Sequence, residues 1–167
     1  MVDAWIAPAA GQTHFEPVRL LFRGADTTGP TRVRVGRTPA GWAAVTDDGT
    51  LVALTPSLRS TLARIARLGA TRAPGRPPAV RRALVLGTAF EVRVWKACRT
   101  IPAGRTLTYG ELASRIGCRS AQAVGQALGR NPLCRLIPCH RVVTRSGGGG
   151  FAWGPALKRR WLASEQA

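Results

Sequence analysis

The chain has 167 residues, of which 45% are hydrophobic, so it is globular rather than disordered and can bury a core. Its formal net charge is +17, and of its 25 basic residues only Lys96 and Lys158 are lysines. This charge indicates a polyanion partner, most simply nucleic acid, or an arginine bias in the source genome. Residues 80–167 carry 15 of the basic and 3 of the acidic residues, so the charge is concentrated there.

No stretch has the pattern of a secretory signal or the length of a membrane span, so we expect a cytoplasmic protein. No CxxC spacing occurs, and His14 and His140 are the only histidines, so no metal site is predicted. In the cytoplasm, four cysteines are expected to be reduced thiols: Cys98, Cys118, Cys134 and Cys139.

The first half predicts a small, mostly antiparallel sheet. Alternation in TRVRVG at 31–36 predicts a strand, and VRLLF at 18–22 is a further candidate. GWAAV and LVAL flank TDDGT, where Asp48-Gly49 predicts a hairpin turn.

A helix and a linker are predicted next. SLRSTLARIARLG at 57–69 has apolar residues at helical spacing and ends at Gly69. TRAPGRPPAVRR at 71–82 is rich in proline and arginine, which is typical of a linker. We therefore expect two domains, 1–79 and 80–167.

The second domain begins with a predicted helix. Thr88 and Glu91 have the spacing of a capping box, in which the two side chains bond reciprocally to backbone N–H groups. The residues that follow form one apolar face, which includes Trp95 and Cys98. Cys98 is therefore expected to be a core thiol.

Two short helices are predicted after Gly104. Thr108 and Glu111 form a second capping-box pattern, and that helix ends at Gly117. Ser120 can cap the next segment, AQAVGQALG. Two short helices joined by a tight turn in a basic domain favour a helix-turn-helix, and the chain as a whole favours the α+β class.

The second of these helices is rich in glycine and alanine. Glycine destabilises a helix, so the small residues need a compensating function. They would allow another surface to approach the helix backbone closely. One interpretation is a backbone that approaches a DNA minor groove, which is only roughly 6 Å wide. The other is tight packing between helices.

Cys139 lies between Pro138 and His140 in LIPCHRVVTRSGGGG. A nucleophilic cysteine needs a nearby base or positive charge, and His140 and Arg141 are candidates. Adjacent side chains in an extended segment point in opposite directions, so any contact with His140 needs a turn or a water. A buried structural thiol is the alternative.

The sequence around Cys139 resembles the active-site signature of the O6-alkylguanine-DNA alkyltransferases, the methylated-DNA–protein-cysteine methyltransferases. PCHRV at 138–142 carries the resemblance, preceded by GRNPLCRLI. GTAFEVRVWKACRTIPAGRTLTYGELASRIG at 87–117 and ALKRRWLASE at 156–165 match the family's first helices and its C-terminal helix. The resemblance covers residues 84–166, and the hairpin around Asp48 fits the family's N-terminal domain.

This resemblance implies a ribonuclease H-like N-terminal domain and a mainly helical C-terminal domain. It also implies transfer of alkyl groups, mainly methyl, from O6 of guanine and O4 of thymine in double-stranded DNA. The cysteine keeps the group, so each molecule acts once, and no cofactor is required. The family binds the minor groove and rotates the damaged base into a pocket. We expect a monomer without a membrane partner, associated with the nucleoid when bound to DNA.

The resemblance implies a catalytic role for five residues of this chain at the positions of the family's motifs. Cys139 would accept the alkyl group, His140 would activate the thiol through a water, and Glu165 would orient His140. Asn131 would brace the segment before the active site. Tyr109 would press on the phosphate 3′ to the target and protonate guanine N3.

The same resemblance implies contacts with DNA and with the extruded base. The backbone of Val142 would contact the exocyclic amine of the base. The remaining pocket residues would be Phe151, Ala152 and Trp153. The DNA-contacting residues would be Tyr109, Ser120, Ala121, Gln122, Ala123, Gly125, Arg130 and Arg141.

Two departures from the family pattern stand out. The family arginine that enters the base stack is replaced by Gln122, which is shorter and uncharged, so we predict weaker base flipping or DNA affinity, with Gln126 or Arg119 as possible compensation. The family run Tyr-Ser-Gly-Gly is here FAWG, which places Trp153 where a glycine is usual. Trp153 either narrows the pocket against groups such as benzyl or stacks on the extruded base.

These departures leave two other functions open. One is a divergent protein that senses lesions without repairing them, although that branch characteristically lacks the cysteine. The other is an enzyme that acts on a small molecule, which the missing arginine would favour. The net charge, Tyr109 and the small-residue helix favour DNA.

Overall fold

A computed structural model of the chain describes residues 19–23, 32–38, 41–67, 70–75, 78, 80 and 82–166. The chain divides into two compact units: unit 1 is Met1–Thr88 with Pro132–Leu136, and unit 2 is Ala89–Asn131 with Ile137–Ala167. The division after Thr88 differs from the predicted boundary after residue 79. The reason is that the strand at Arg82–Leu86 pairs within the sheet of unit 1.

Unit 1 is a sheet with one helix in its described part. Its elements are β1 (Arg19–Arg23), β2 (Arg32–Thr38), β3 (Gly41–Val45), β4 (Thr50–Thr55), α1 (Leu58–Arg67), β5 (Thr71–Ala73) and β6 (Arg82–Leu86). The candidate strand at 18–22 is thus confirmed as β1. The predicted helix is α1, and its predicted end at Gly69 lies outside the described residues. The predicted linker contributes β5 and the start of β6.

The sheet is mixed, which corrects the expectation of a mostly antiparallel sheet. Its strand order is β1-β6-β4-β3-β2-β5. The β2–β3 and β3–β4 pairs are antiparallel, whereas β1–β6, β4–β6 and β2–β5 are parallel. Parallel pairs have no hairpin turn to mark them in the sequence, because their connection passes through other elements.

The hairpin between β3 and β4 is the turn that Asp48-Gly49 predicted. Thr46 and Gly49 close it, with a hydrogen bond of 3.0 Å from the Gly49 N–H to the Thr46 carbonyl. Gly49 has φ +81°, which glycine adopts without strain. Residues from β2, β3, β4 and α1 then form one hydrophobic cluster: Val33, Val35, Ala44, Val52, Ala53 and Ile65.

Unit 2 is mainly helical. Its elements are α2 (Ala89–Arg99), β7 (Leu107–Thr108), α3 (Tyr109–Arg115), α4 (Ala121–Gly129), a 3₁₀ turn (Cys139–Arg141), β8 (Val142–Val143) and α5 (Pro155–Ser164). β7 and β8 pair in parallel. Cys98 on α2 is fully buried, as predicted, and burial raises the pKa of its thiol. The Trp95 indole donates to the Ala127 carbonyl at 2.9 Å, which ties α2 to α4.

The caps of α3 and α4 are those that the sequence predicted. The Thr108 hydroxyl accepts from the Glu111 N–H and the Glu111 carboxylate accepts from the Thr108 N–H, a complete capping box. Ser120 caps α4 by accepting from the Ala123 N–H at 3.1 Å. Between the helices, Gly117 has φ +65°, a left-handed conformation that ends α3.

Candidate active site

Cys139 is the first residue of the 3₁₀ turn and is only 4% exposed. Asn131, which is fully buried, donates from Nδ2 to the Cys139 sulfur at 3.2 Å and to the Ile137 carbonyl at 2.8 Å. An N–H donor favours the thiolate over the thiol, because it stabilises the negative charge. Asn131 therefore both braces the turn and donates a hydrogen bond to the Cys139 sulfur.

His140 and Glu165 form the expected pair. His140 Nε2 lies 2.7 Å from Glu165 Oε1, and His140 is only 3% exposed. With a carboxylate at Nε2, the neutral ring holds its proton at Nε2 and its lone pair at Nδ1, which is also buried. The carboxylate thus fixes which nitrogen can act as a base.

The Arg141 guanidinium is hydrogen-bonded to the same carboxylate, a contact that the sequence did not predict. Its Nε and Nη2 donate to Glu165 at 2.9 and 2.8 Å, and its Nη1 donates to the Ile101 carbonyl at 2.6 Å. The side chain is 13% exposed. The contact of Arg141 with DNA stays a prediction, and in this structure its guanidinium is bonded inside unit 2, to Glu165 and to the Ile101 carbonyl.

The Glu165 carboxylate is held ionised. Burial by itself raises its pKa, but hydrogen bonds from Arg141 and His140, together with the positive charge of Arg141 and of His140 when its ring is protonated, outweigh burial and lower the pKa to about 2. The Gly104 N–H also donates to this carboxylate, at 3.3 Å. Glu165 can therefore accept from His140 throughout the physiological pH range.

A groove of about 900 Å³ opens beside Cys139. The start of α3, one side of α4 and the loop between β8 and α5 enclose it. Its lining residues are Thr108, Tyr109, Gly110, Ala121, Gln122, Gly125, Gln126, Leu128, Gly129, Cys139, Val143, Thr144, Arg145, Gly150, Phe151, Ala152 and Trp153. The Cys139 thiol, the small-residue helix α4 and the predicted pocket loop thus meet at one cavity.

Tyr109 lines this groove and is anchored at its hydroxyl. The hydroxyl donates to the Gly150 carbonyl at 2.9 Å. A Cβ on Gly125 would lie 3.7 Å from the ring, and one on Gly149 would lie 3.3 Å from it. Burial, and secondarily the negative charge of the Cys139 thiolate, raises the pKa of Tyr109, so its phenol keeps its proton.

Lys158 is a site residue that sequence analysis missed. It is 3% exposed, and its ammonium donates to the Val142 carbonyl at 2.6 Å. It also lies 5.7 Å from the ring centre of Tyr109 and 5.9 Å from that of Phe151, within cation–π range. Burial lowers its pKa, with the Cys139 charge acting in the opposite direction.

Sequence signals for Lys158 were available. It is one of two lysines in a chain rich in arginine, and it lies three residues before the buried Trp161, on the same helix face. The acceptor of Lys158 belongs to a predicted site residue, Val142. The Val142 side chain is fully buried and its carbonyl accepts from Lys158, whereas Val143 lines the groove.

The aromatic side chains of the loop form a connected series. Phe151 packs edge-to-face on Trp153 at 5.1 Å and on Trp161 at 5.7 Å. Trp161 in turn packs edge-to-face on His140 at 5.3 Å. The loop residues are thereby linked through Trp161 to His140.

The predicted DNA-contacting residues of α4 lie on its outer side. Ser120, Ala121 and Gln122 are exposed, and Ala123 and Gly125 are partly exposed. Arg130, at the end of α4, is 52% exposed and lies 3.4 Å from the Glu91 carboxylate. Apart from Gln122 and Arg130, the residues of this surface have short side chains, as the sequence indicated.

Among the described residues, no group of three or more His, Cys, Asp or Glu side chains is placed to hold a metal ion. None of the helices in the described part of the chain is long and apolar enough to span a bilayer.

Comparison with known proteins gives matches to one family. The model for "6-O-methylguanine DNA methyltransferase, DNA binding domain" matches residues 89–167. A methylated-DNA–protein-cysteine methyltransferase of Mycobacterium tuberculosis is 48% identical over 83 residues, 48% of this chain and 50% of that protein. One of Kluyveromyces lactis is 42% identical over 85 residues, 50% of this chain and 45% of that protein. The chain thus spans about half the length of the curated relatives it matches.

A crystal structure of Mycobacterium tuberculosis OGT in complex with DNA is similar over both units. Its TM-score is 0.63 at 34% identity, and the alignment covers 81% of this chain and 93% of that one. The chain belongs to the 6-O-methylguanine DNA methyltransferase family. This confirms the resemblance inferred from the sequence motifs.

In this member of the 6-O-methylguanine DNA methyltransferase family, Cys139 accepts a hydrogen bond from Asn131, and His140 is hydrogen-bonded to Glu165. Its two departures lie on the same cavity. Gln122 is on the α4 side of the groove, and Trp153 is on the loop side.

Proposed function

We propose that this chain is a DNA repair protein that transfers an alkyl group, mainly methyl, from O6-alkylguanine in duplex DNA irreversibly to Cys139. O4-alkylthymine is proposed as a second substrate. The observation that carries this proposal is the placement of Cys139 on the groove, with His140 hydrogen-bonded to Glu165 in the same turn region. Because the thioether product does not revert, each molecule acts once.

The proposed chemistry is a nucleophilic displacement. The Cys139 thiol gives its proton, through a water, to His140 Nδ1, and Glu165 stabilises the imidazolium that forms. The thiolate sulfur attacks the alkyl carbon, a new S–C bond forms, and the bond from that carbon to guanine O6 breaks. Tyr109, kept protonated by its raised pKa, supplies the proton that guanine N3 takes up on leaving.

DNA is the proposed partner, and α4 is its proposed contact. We infer that α3 and α4 act as a helix-turn-helix whose second helix enters the minor groove. The exposed small residues of α4 support this, because a helix with long side chains would not fit so narrow a groove. The proposed contacts, besides Tyr109, are Ser120, Ala121, Gln122, Ala123, Gly125 and Arg130. We also propose that unit 1 is ribonuclease H-like, since it combines a mixed sheet with a covering helix.

The first experiment is intact-protein mass spectrometry after incubation with duplex DNA that carries one O6-methylguanine. We expect a gain of one methyl group per chain, mapped to Cys139 by peptide analysis. The Cys139→Ala variant is the control and should gain nothing.

Other outcomes would redirect the assignment. Binding to the lesion without a mass gain would contradict repair and support lesion sensing. If the protein neither binds the lesion nor gains mass, this result would contradict a DNA substrate. It would support a small-molecule substrate for the same thiol.

A further inference from the structure

We propose that unit 1 carries a second contact surface for the phosphate backbone of duplex DNA. This surface, the α1 face, consists of Arg59 and Arg67 on helix α1 and Arg72 on strand β5. The inference deepens the proposed DNA partner and rests on it. It gives unit 1 a part in binding that is separate from the groove and from helix α4. The contact is made to phosphates and not to bases, so it does not depend on DNA sequence.

Helix α1 has one side in the core and the opposite side in solvent. Its apolar residues that pack in the hydrophobic cluster of unit 1 are Leu58, Leu62 and Ile65. Its exposed residues are Arg59, Ala63, Ala66 and Arg67. Because alanine is short, a phosphate backbone can approach this side closely enough for both guanidinium groups to bind it.

Arg72 extends the α1 face onto the sheet. It lies on β5, the last strand in the sheet order, and its register partner on β2 is Val33. Register partners on neighbouring strands have their side chains on the same side of a sheet. Val33 belongs to the cluster that α1 covers, so Arg72 lies on the α1 side, where it is exposed.

The carboxylates of unit 1 have partners elsewhere. In the described part of this unit, the acidic residues are Asp47 and Asp48, both in the β3–β4 hairpin. Asp47 pairs with Arg34 at 2.9 Å. Arg34 follows Val33 on β2, so its side chain lies on the opposite side of the sheet. Asp48 accepts from the Thr50 N–H at 3.1 Å, within the hairpin itself.

Helix stability does not account for these arginines. Arg59 lies in the first turn of α1, where the positive end of the helix dipole disfavours a cation, and that turn has no acidic residue. Arg67 lies in the last turn, which the dipole favours, but it is three residues from Arg64, and like charges at this spacing repel. An anion bound from outside would offset both effects.

The spacing of the two helical arginines suits a nucleic-acid strand. They are eight residues apart, which is about 12 Å along the helix axis. One strand of B-DNA carries a phosphate about every 3.4 Å, so this length spans three or four phosphates. Guanidinium groups bind phosphate oxygens bidentately. A lipid surface fits less well, because a helix at a membrane interface needs large apolar residues where α1 exposes alanines.

Unit 2 makes DNA available to this surface. A duplex that is bound by unit 2 has a high effective concentration at unit 1, because one chain carries both units. A weak contact of phosphates with the α1 face therefore adds measurably to the affinity of the whole protein.

The test is the salt dependence of binding to an unmodified duplex of about 30 base pairs, measured by fluorescence anisotropy. Each lost phosphate contact lowers the steepness of log affinity against log salt by about 0.9. We expect Arg67→Gln to lower it by about 0.9. The triple variant Arg59→Gln/Arg67→Gln/Arg72→Gln should lower it by about 2–3 and should bind at least about tenfold more weakly at about 0.1 M salt.

Arg32→Gln is the matched control. Arg32 is also an exposed arginine of unit 1, but it precedes Val33 on β2 and so lies on the opposite side of the sheet. We expect its salt dependence to stay within about 0.3 of the wild-type value. Equal effects of Arg67→Gln and Arg32→Gln would assign the loss to net charge and overturn the inference. A triple variant with wild-type salt dependence would also overturn it.

Further measurements distinguish this inference from a role in the fold and from other partners. The triple variant should keep the wild-type Tm and the wild-type first-order rate of methyl transfer to Cys139 in a saturated complex, because the three arginines do not line the groove. A fall in both Tm and this rate would assign the arginines to the fold and overturn the inference. Lost binding to phosphatidylglycerol vesicles with unchanged DNA binding would assign them to a lipid surface and overturn it too.

Failure of the inference and failure of the proposed function give different results. A wild-type protein that does not bind the duplex at any salt concentration refutes the proposed DNA partner. Wild-type binding that the triple variant retains in full refutes only the contact at the α1 face.

Discussion

At the scale of single residues, Glu165 connects the active-site groups. It accepts from His140, from two nitrogens of Arg141 and from the Gly104 N–H. These donors outweigh the effect of burial and lower the pKa of Glu165 to about 2, from an ordinary value of 4.5. A carboxyl whose pKa falls on folding stabilises the folded state where it is ionised.

The sign of this effect gives a pH prediction. The contribution of Glu165 to the free energy of unfolding should be fully present above about pH 4.5 and be lost as the pH falls toward 2. Glu165→Gln removes the titrating group, so its unfolding free energy should fall less steeply over that interval than that of the wild type. At pH 7 the variant should be less stable by about 1–3 kcal/mol, because the hydrogen bonds to a charged acceptor are weakened.

Urea unfolding at half-unit steps from pH 2.5 to 7 measures both effects. Glu111→Gln is the matched control: Glu111 is also a carboxylate with a lowered pKa, but it lies in the exposed capping box away from His140. Wild type and Glu165→Gln with parallel pH profiles would contradict the assigned pKa.

The residues of the site that could be predicted were those that a recognisable motif assigns to a role. The PCHRV motif identified Cys139 and His140, and the family resemblance supplied Asn131 and Glu165. The pairing of Arg141 with Glu165 spans 24 residues and was not predicted. A basic residue next to a cysteine is equally compatible with a DNA contact and with an ion pair inside the protein. Lys158 was missed for a similar reason: its acceptor is a backbone carbonyl, which no side-chain pattern reveals.

At the scale of elements, local signals were reliable and parallel pairing was not. The caps at Thr108 and Ser120 and the turn at Asp48-Gly49 rest on contacts within three residues, and the structure has all three. The parallel pairs of β6 depend on residues separated by a helix and a connection. Their register follows from packing of the whole sheet, so the sequence predicted strands for β1 to β4 but neither the strands β5 and β6 nor the parallel pairings.

The cap of α4 offers a test at this scale. The Ser120 hydroxyl accepts from the Ala123 N–H, and α4 has two glycines in nine residues, so it depends on that cap more than an alanine-rich helix would. We expect Ser120→Ala to lower the free energy of unfolding by about 0.5–2 kcal/mol, measured by urea denaturation. Ser114→Ala is the control, because Ser114 is exposed within α3 and bonds back to the Gly110 carbonyl, an interaction that does not stabilise helices. Equal losses for both variants would contradict the capping role.

At the scale of the whole molecule, the path of the chain before Cys139 is informative. After Asn131 the chain contributes Pro132–Leu136 to unit 1, where β4 exchanges two backbone hydrogen bonds of 2.8 Å with this segment. It returns to unit 2 at Ile137, whose carbonyl accepts from Asn131. Asn131 therefore links the two residues that flank the Pro132–Leu136 segment, and the same Nδ2 donates to the Cys139 sulfur.

Alkylation of Cys139 should consequently weaken the folded state as a whole. A methyl group adds volume to a residue that is only 4% exposed, and a thioether accepts the Asn131 hydrogen bond less well than a thiolate does. We expect a loss of about 1–3 kcal/mol and a fall in Tm of several degrees. Differential scanning calorimetry before and after complete methylation, with the mass gain verified, measures the shift.

The position of Asn131 allows the two causes of that loss to be separated. Asn131→Ala removes the donor to both the sulfur and the Ile137 carbonyl, so it should lower Tm in the unmodified protein and leave less to lose on methylation. If crowding alone destabilised the product, the methylation shift would be the same in Asn131→Ala as in the wild type. An unchanged Tm after methylation of the wild type would contradict both causes, since the added group would then project into the groove without disturbing the turn that holds Cys139.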